Sequence, residues 1–381
     1  MTLREIASRQ SVHRRRFLRT AVGAAASGAL SGFSPLRAMQ APRRPKVVVV
    51  TFGGGARDEE TFAPEGQENI PHMLGELIPQ GTFFTQVINH GILGHYVATA
   101  SLATGAYETL NNFASTPPEN PTVFEYYRRD LKRPAQDVWV VAPSNGFNRI
   151  GGSSRRGYGP EFGAEVLLPK QLLAAAMSKG SNLDYEHLLR DNYETPLFAP
   201  PIGSTDVDLH RTAGILKLSL ADFTSHARTL TSPDELSVFI ARRLMTEVSP
   251  SLLWITLHDI DIAHSGAFSL YLDGIRRSDR LCSEIWQAIV ANPEYKGRTT
   301  MFILPDFGRD ADTNPAGNGF QHHRTGDALS RTTWMLALGP GVRQNFVVDR
   351  PVDSLDLVPT LGSLMGFSPT FTNGKPLQEV L

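Results

Sequence analysis

Lys46-Val47-Val48-Val49-Val50-Thr51-Phe52 runs directly into Gly53-Gly54-Gly55. A continuous β-branched run with no alternation of polar and apolar positions reads as a strand buried on both faces, the kind a parallel sheet uses. Outward from it, residues 82–88, 137–142, 252–257, 299–304 and 333–338 read as further strands, the last ending in Gly339-Pro340-Gly341. Residues 69–77, with Pro71 in the first turn, 97–103, closed by Gly105, and 124–131 read as helices between them. Further on, residues 167–178, 215–230, 232–247, 268–290 and 355–365 read as helices, and Ser232-Pro233 is an N-cap followed by proline at the first helical position. The alternation predicts an α/β protein with a mostly parallel central sheet flanked by helices. Residues 143–250 break the rhythm and read as an insertion or cap on that sheet, with 145–162 a Gly/Ser/Arg-rich surface loop.

The chain has 381 residues, 41% hydrophobic and 20% charged, which suits one large α/β domain over residues 42–381. A single cysteine, Cys282, excludes an internal disulfide framework and a Cys-rich zinc site. The formal net charge of −1 hides an asymmetry. Residues 1–41 hold seven arginines and one glutamate, which leaves 30 basic and 37 acidic residues in the rest, about −7. An acidic body argues against nucleic acid as the partner. The N-terminus, Arg14-Arg15-Arg16-Phe17-Leu18-Arg19 and then a Gly/Ala-rich apolar stretch to about Phe33, resembles a twin-arginine signal. It predicts recognition by the twin-arginine export machinery and a periplasmic or secreted location. The stretch is too short and too rich in small residues for a membrane span, so no transmembrane segment is expected in the mature chain.

In open α/β sheets ligands collect beyond the carboxyl ends of the strands. Four predicted strand ends carry polar clusters: Arg57 and Asp58; Asn89, His90 and His95; His258, Asp259, Asp261 and His264; Asp306 and Arg309, followed by His322 and His323. Six of the eleven histidines lie there. With cysteine absent, Asp and His are the natural ligands of zinc or a similar divalent ion. Such a site suits phosphate or sulfate ester chemistry, because the ion neutralises the ester's charge. Arg57 or Arg309 could clamp an ester oxygen, and each could equally make a salt bridge. Asp259 and Asp261 could instead cap the helix that follows.

The C-terminal third carries a resemblance. Leu338-Gly339-Pro340-Gly341-Val342, then Asp356-Leu357-Val358-Pro359-Thr360-Leu361, then Asn373-Gly374-Lys375-Pro376-Leu377 resemble the end of an alkaline phosphatase/sulfatase superfamily domain. Val47–Arg57, Leu102-Ala103-Thr104-Gly105, Asp259–His264 and Asp306-Phe307-Gly308 fit the same frame, and Gly53-Gly54-Gly55, Gly94-His95-Tyr96, Phe307-Gly308-Arg309 and His322 resemble its twin-arginine-exported DUF1501 branch. The resemblance implies a divalent metal, zinc or manganese foremost, and a small-molecule, glycan or lipid ester as substrate. It places metal ligands at Asp261, or Asp259 as its alternative, at His264, and at His322 or His323. Asp306 would bridge to a second ion or orient His95. His95 falls where the family has its nucleophile, Gly53 or Gly54 where it has a metal aspartate, and Phe307 where it has a histidine. Two functions follow: an exported metal-dependent hydrolase, with His95 attacking or a single ion activating water, or a non-catalytic relative that binds a ligand in the old pocket.

Overall fold

A computed structural model describes residues 44–114, 116–177, 185–189, 208–312 and 319–381. Residues 1–41, read from the sequence as an export signal, lie outside them. Strand β1 (Lys46–Phe52) is buried along its whole length. Val48 and Val50 enter one apolar core and Val47 and Val49 the other, one on each face of the sheet. Thr51 is tolerated inside because its hydroxyl accepts a 3.2 Å hydrogen bond from Trp254 Nε1.

The other strands are β2 (Gly81–Ile88), β3 (Val138–Val141), β4 (Glu165–Leu167), β5 (Leu252–Leu257), β6 (Thr299–Pro305), β7 (Thr332–Leu338), β8 (Phe346–Val348) and β9 (Val352–Asp353). They form one nine-stranded sheet in the order β4-β3-β5-β1-β6-β7-β2-β8, with β9 also on β2. β4, β3, β5, β1 and β6 run parallel; β7 is antiparallel to both β6 and β2, which restores the direction of β2 to that of β6. The ends of β1, β5, β6 and β2 therefore open on the same edge.

Helices α1 (His95–Thr104), α2 (Val123–Asp130) and α8 (Leu357–Met365) cover the face carrying Val47 and Val49. Helices α3 (Pro169–Met177), α4 (Leu209–Leu216), α5 (Leu220–Ala227), α6 (Pro233–Glu247) and α7 (Phe268–Ala291) cover the other. Ser232 caps α6 by accepting from Glu235 N. The helix expected over 215–230 is instead two, α4 and α5. The chain turns left-handed at Lys217 (φ 45°) and Ser219 starts a new cap. Within 143–250, β4 extends the main sheet and α6 packs on β5, so this stretch contributes to the core.

The loop 145–162 is tied to α2 by hydrogen bonds to Glu125, beside the packing of Tyr158 on Tyr126 and Arg129. Glu125 is fully buried and accepts from Thr122 N, Thr122 Oγ1, Ser153 Oγ and Gly159 N at 2.6–2.9 Å. Deleting it would strand several buried donors at once. Glu125→Ala is expected to destabilise the fold by about 3 kcal/mol, read from the urea midpoint, and Glu125→Gln by less.

Candidate metal centre

Each strand end contributes one part of the site. β5 is followed by His258, and the 3-10 turn Asp259–Ser265 after it carries Asp261 and His264. Asp234, in the first turn of α6, fixes the start of that turn by accepting His258 N and Asp259 N, both at 2.8 Å. β6 ends in Pro305 and passes to Asp306, Phe307 and Arg309, and the same loop returns with His322 and His323. β2 leads to α1, whose first residue is His95. Helix α1 is held from its far end: Gly105 is left-handed (φ 71°), and its carbonyl accepts from Thr372 Oγ1 and Asn373 N. The Thr-Gly and Asn-Gly-Lys segments, remote in sequence, thus meet and set where His95 stands.

Ligand atoms of His95, Asp261, His264 and His323 all lie within 4.8 Å of one another. Asp261 Oδ1 is 3.2 Å from His95 Nε2, 3.2 Å from His264 Nε2 and 3.8 Å from His323 Nε2. The Nε2 atoms of His264 and His323 face each other at 2.8 Å. Two of the rings are oriented from behind. His95 Nδ1 is 2.8 Å from Asp306 Oδ2, and His323 Nδ1 donates to the Leu93 carbonyl at 3.2 Å. With Nδ1 engaged, each ring presents Nε2 to the cluster, the posture of a metal-bound histidine with its outer partner. Three imidazoles and one carboxylate on this scale match the donor set and size of a zinc-like site. Phe307 walls the site, its ring 4.9 Å from His95 and 4.6 Å from His323. Exposure is graded. The His95 and Asp261 side chains are 2% and 1% exposed, His323 13% and His264 36%, so the cluster opens to solvent at His264.

The electrostatics follow from burial and pairing. Burial alone would lower the pKa of His95, but the carboxylates of Asp261 and Asp306 outweigh it and push it up to about 10 in the metal-free protein. Burial would raise Asp261, yet His95, His264 and Arg309 hold it well below the usual carboxylate range. Burial keeps Asp306 raised despite His95 and Gly54 N. Burial likewise pushes His323 well below the ordinary imidazole value, which keeps it neutral and ready as a ligand.

Not every residue singled out from the sequence arrives here. Asp259 is turned away, its carboxylate 2.9 Å from Arg277 Nη1 and beside Asp234. His322 stays outside the four donors; its ring centre is 6.0 Å from His264 at the rim. Arg57 binds Glu60 and Asp312 and does not reach the cluster, so it is a salt bridge and not a clamp on a ligand. Arg309 touches Asp261 at 3.0 Å, but its side chain is wholly buried and donates to the Phe320 and Ile260 carbonyls as well. It faces the carboxylate and not solvent. Asp306 stands behind His95. The sequence had no signal for Leu93, which acts through its carbonyl.

Neither a protein-family profile nor a curated protein sequence matches the chain. Solved structures do. The fold is like that of an alkaline phosphatase and of a putative sulfatase from Bacteroides thetaiotaomicron. Wild-type alkaline phosphatase PafA superposes with a TM-score of 0.53 at 13% identity, over 90% of this chain and 100% of that one. Ps i-CgsB, solved in complex with k-i-k-neocarrahexaose, gives 0.51 at 12% identity, over 87% of this chain and 75% of that one. The lipoteichoic acid synthase LtaP from Listeria monocytogenes gives 0.51 at 11%, over 88% and 75%. At such identities the likeness is one of fold. No helix among the described residues is long and apolar enough to cross a membrane.

If the four donors hold an ion, the hydrogen bond behind His95 tunes it. Asp306→Asn is expected to weaken zinc affinity about 10–100-fold in a competition titration, and His322→Ala to leave it unchanged.

Proposed function

We propose that this chain is an exported metal-dependent hydrolase of phosphate or sulfate esters, with zinc or manganese held by His95, Asp261, His264 and His323. The observation that carries the reading is the convergence of these four donors at the carboxyl edge of an alkaline-phosphatase-like sheet. A bound divalent ion supplies Lewis-acid charge against an anionic ester. Asp306 and the Leu93 carbonyl orient His95 and His323. Arg309 orients Asp261, and Phe307 keeps water from the back of the site. His264, the most exposed donor, stands where a substrate would arrive.

His95 is a poor candidate for the attacking group despite its position. Its ring is buried and lies between two carboxylates. Ser101 and Thr99, further along α1, do not replace it; the Ser101 hydroxyl donates to the Val97 carbonyl and accepts from Glu108 N. Attack by water at the centre is the route this arrangement favours. The substrate would be a small-molecule, glycan or lipid ester. Export would use the twin-arginine route read from residues 14–19, as in the DUF1501 branch, and no nucleic acid partner is proposed. The second reading, a ligand-binding relative without turnover, is favoured by the loss of a hydroxyl or thiol at the His95 position.

Metal content of the exported protein, with p-nitrophenyl phosphate and sulfate as probes, separates these readings. At least one equivalent of zinc or manganese, lost in His264→Ala, together with turnover of either ester, is the expected result. Metal and inorganic phosphate binding without turnover would favour the binding protein. A metal-free protein at micromolar supply would sink the hydrolase reading.

A further inference from the structure

Asp261 and Asp306 are both buried, on loops that follow strands either side of β1. The space between them is full. His95 bridges the two carboxylates, and Gly54, just past the end of β1, donates its N–H to Asp306 Oδ1 at 3.0 Å. Gly54 is left-handed (φ 69°), and a Cβ there would lie 2.5 Å from Arg309 Nη2, 3.0 Å from Asp261 Oδ1 and 3.2 Å from His95 Cε1. A guanidinium, an imidazole and bare backbone therefore occupy the β1 side of the site to contact distance, and the absence of a side chain at Gly54 is what makes room for the guanidinium. Arg309 is fixed there by the Phe320 and Ile260 carbonyls and lies over the Tyr271 ring, 5.7 Å from its centre.

Resting on the metal-centre reading above, we propose that Arg309 does in this site what a second cation would do: it neutralises Asp261 from the β1 side, so that the centre takes one divalent ion and keeps a positive charge that cannot dissociate. A guanidinium does not lose its proton in a protein, so the charge is permanent. With His95 neutral, as a metal ligand must be, two buried carboxylates against one guanidinium leave one negative charge, which a single divalent ion turns into a net positive site, suited to an anionic ester. A second divalent ion would have to displace Arg309, which would leave two net positive charges in a dry pocket and a buried guanidinium without its carboxylate. Arg309 is thus a positioning residue for Asp261 and makes no contact with substrate, because it is fully buried.

The test is zinc stoichiometry by native mass spectrometry of the full exported chain, with melting of the chelator-treated protein beside it, for wild type, Arg309→Ala and Arg309→Lys. Wild type and Arg309→Lys are expected to bind one equivalent. Arg309→Ala, with room and uncompensated carboxylates, is expected to bind two and, free of metal, to melt about 5 °C or more below wild type. Two equivalents in wild type overturn this proposal and leave the metal reading standing. No zinc in wild type overturns both. One equivalent in Arg309→Ala with an unchanged metal-free melt overturns the charge-substitution role. Where Arg309→Ala does not fold without metal, Arg309→Lys decides: metal-free folding with one equivalent upholds the proposal, and loss of either overturns it.

Discussion

A single oxygen, Asp261 Oδ1, organises the carboxyl edge of this sheet. Arg309, His95 and His264 approach it to 3.0–3.2 Å, and His323 stands just beyond. A buried carboxylate is costly unless paired and hydrogen-bonded. Each of these partners comes from a different segment of the chain or from its own turn. The need to satisfy one desolvated anion therefore draws the loop after β6, the start of α1 and the turn after β5 onto one point. The packing of Phe307 against His95 and His323 follows from that convergence.

The strands that were legible in the sequence are those whose chemistry is local. The valine run of β1 declares burial on both faces, and β5, β6 and β7 do so by similar runs. β4, β8 and β9 are two or three residues long and carry no period to read; they exist because a neighbouring edge lends them hydrogen bonds. The break between α4 and α5 falls on a left-handed lysine, a residue that gives no warning of such a turn.

The site was legible to the level of loops but not of single side chains. Residue type and position pointed to Asp261 and His264 as donors, whereas His95 was read as an attacking group and stands among the donors instead. The choice of His323 over His322 depends on the Leu93 carbonyl, far away in sequence, and on the His322 carbonyl accepting from Asp310 N across the same loop. Arg57 and Arg309 look alike as sequence, each a few residues past a strand. Their roles part because Glu60 sits three residues from Arg57, whereas Arg309 finds Asp261 across the sheet. Phe307 looks like a lost histidine in the sequence and serves as an apolar wall in the fold.

The order of strands has a consequence for biosynthesis. β1 is among the earliest elements made, yet both of its edges are filled by β5 and β6, which emerge much later, and α1 is braced by residues 372 and 373 near the end of the chain. A nascent chain that stops short of β6 leaves the valine strand with an open edge, and one that stops short of the tail leaves His95 on an unbraced helix. Such a topology favours late, all-at-once closure over piecewise folding at the ribosome. Until closure, Val47–Val50 is an exposed adhesive segment, so the unfinished chain is the form most in need of protection from its neighbours.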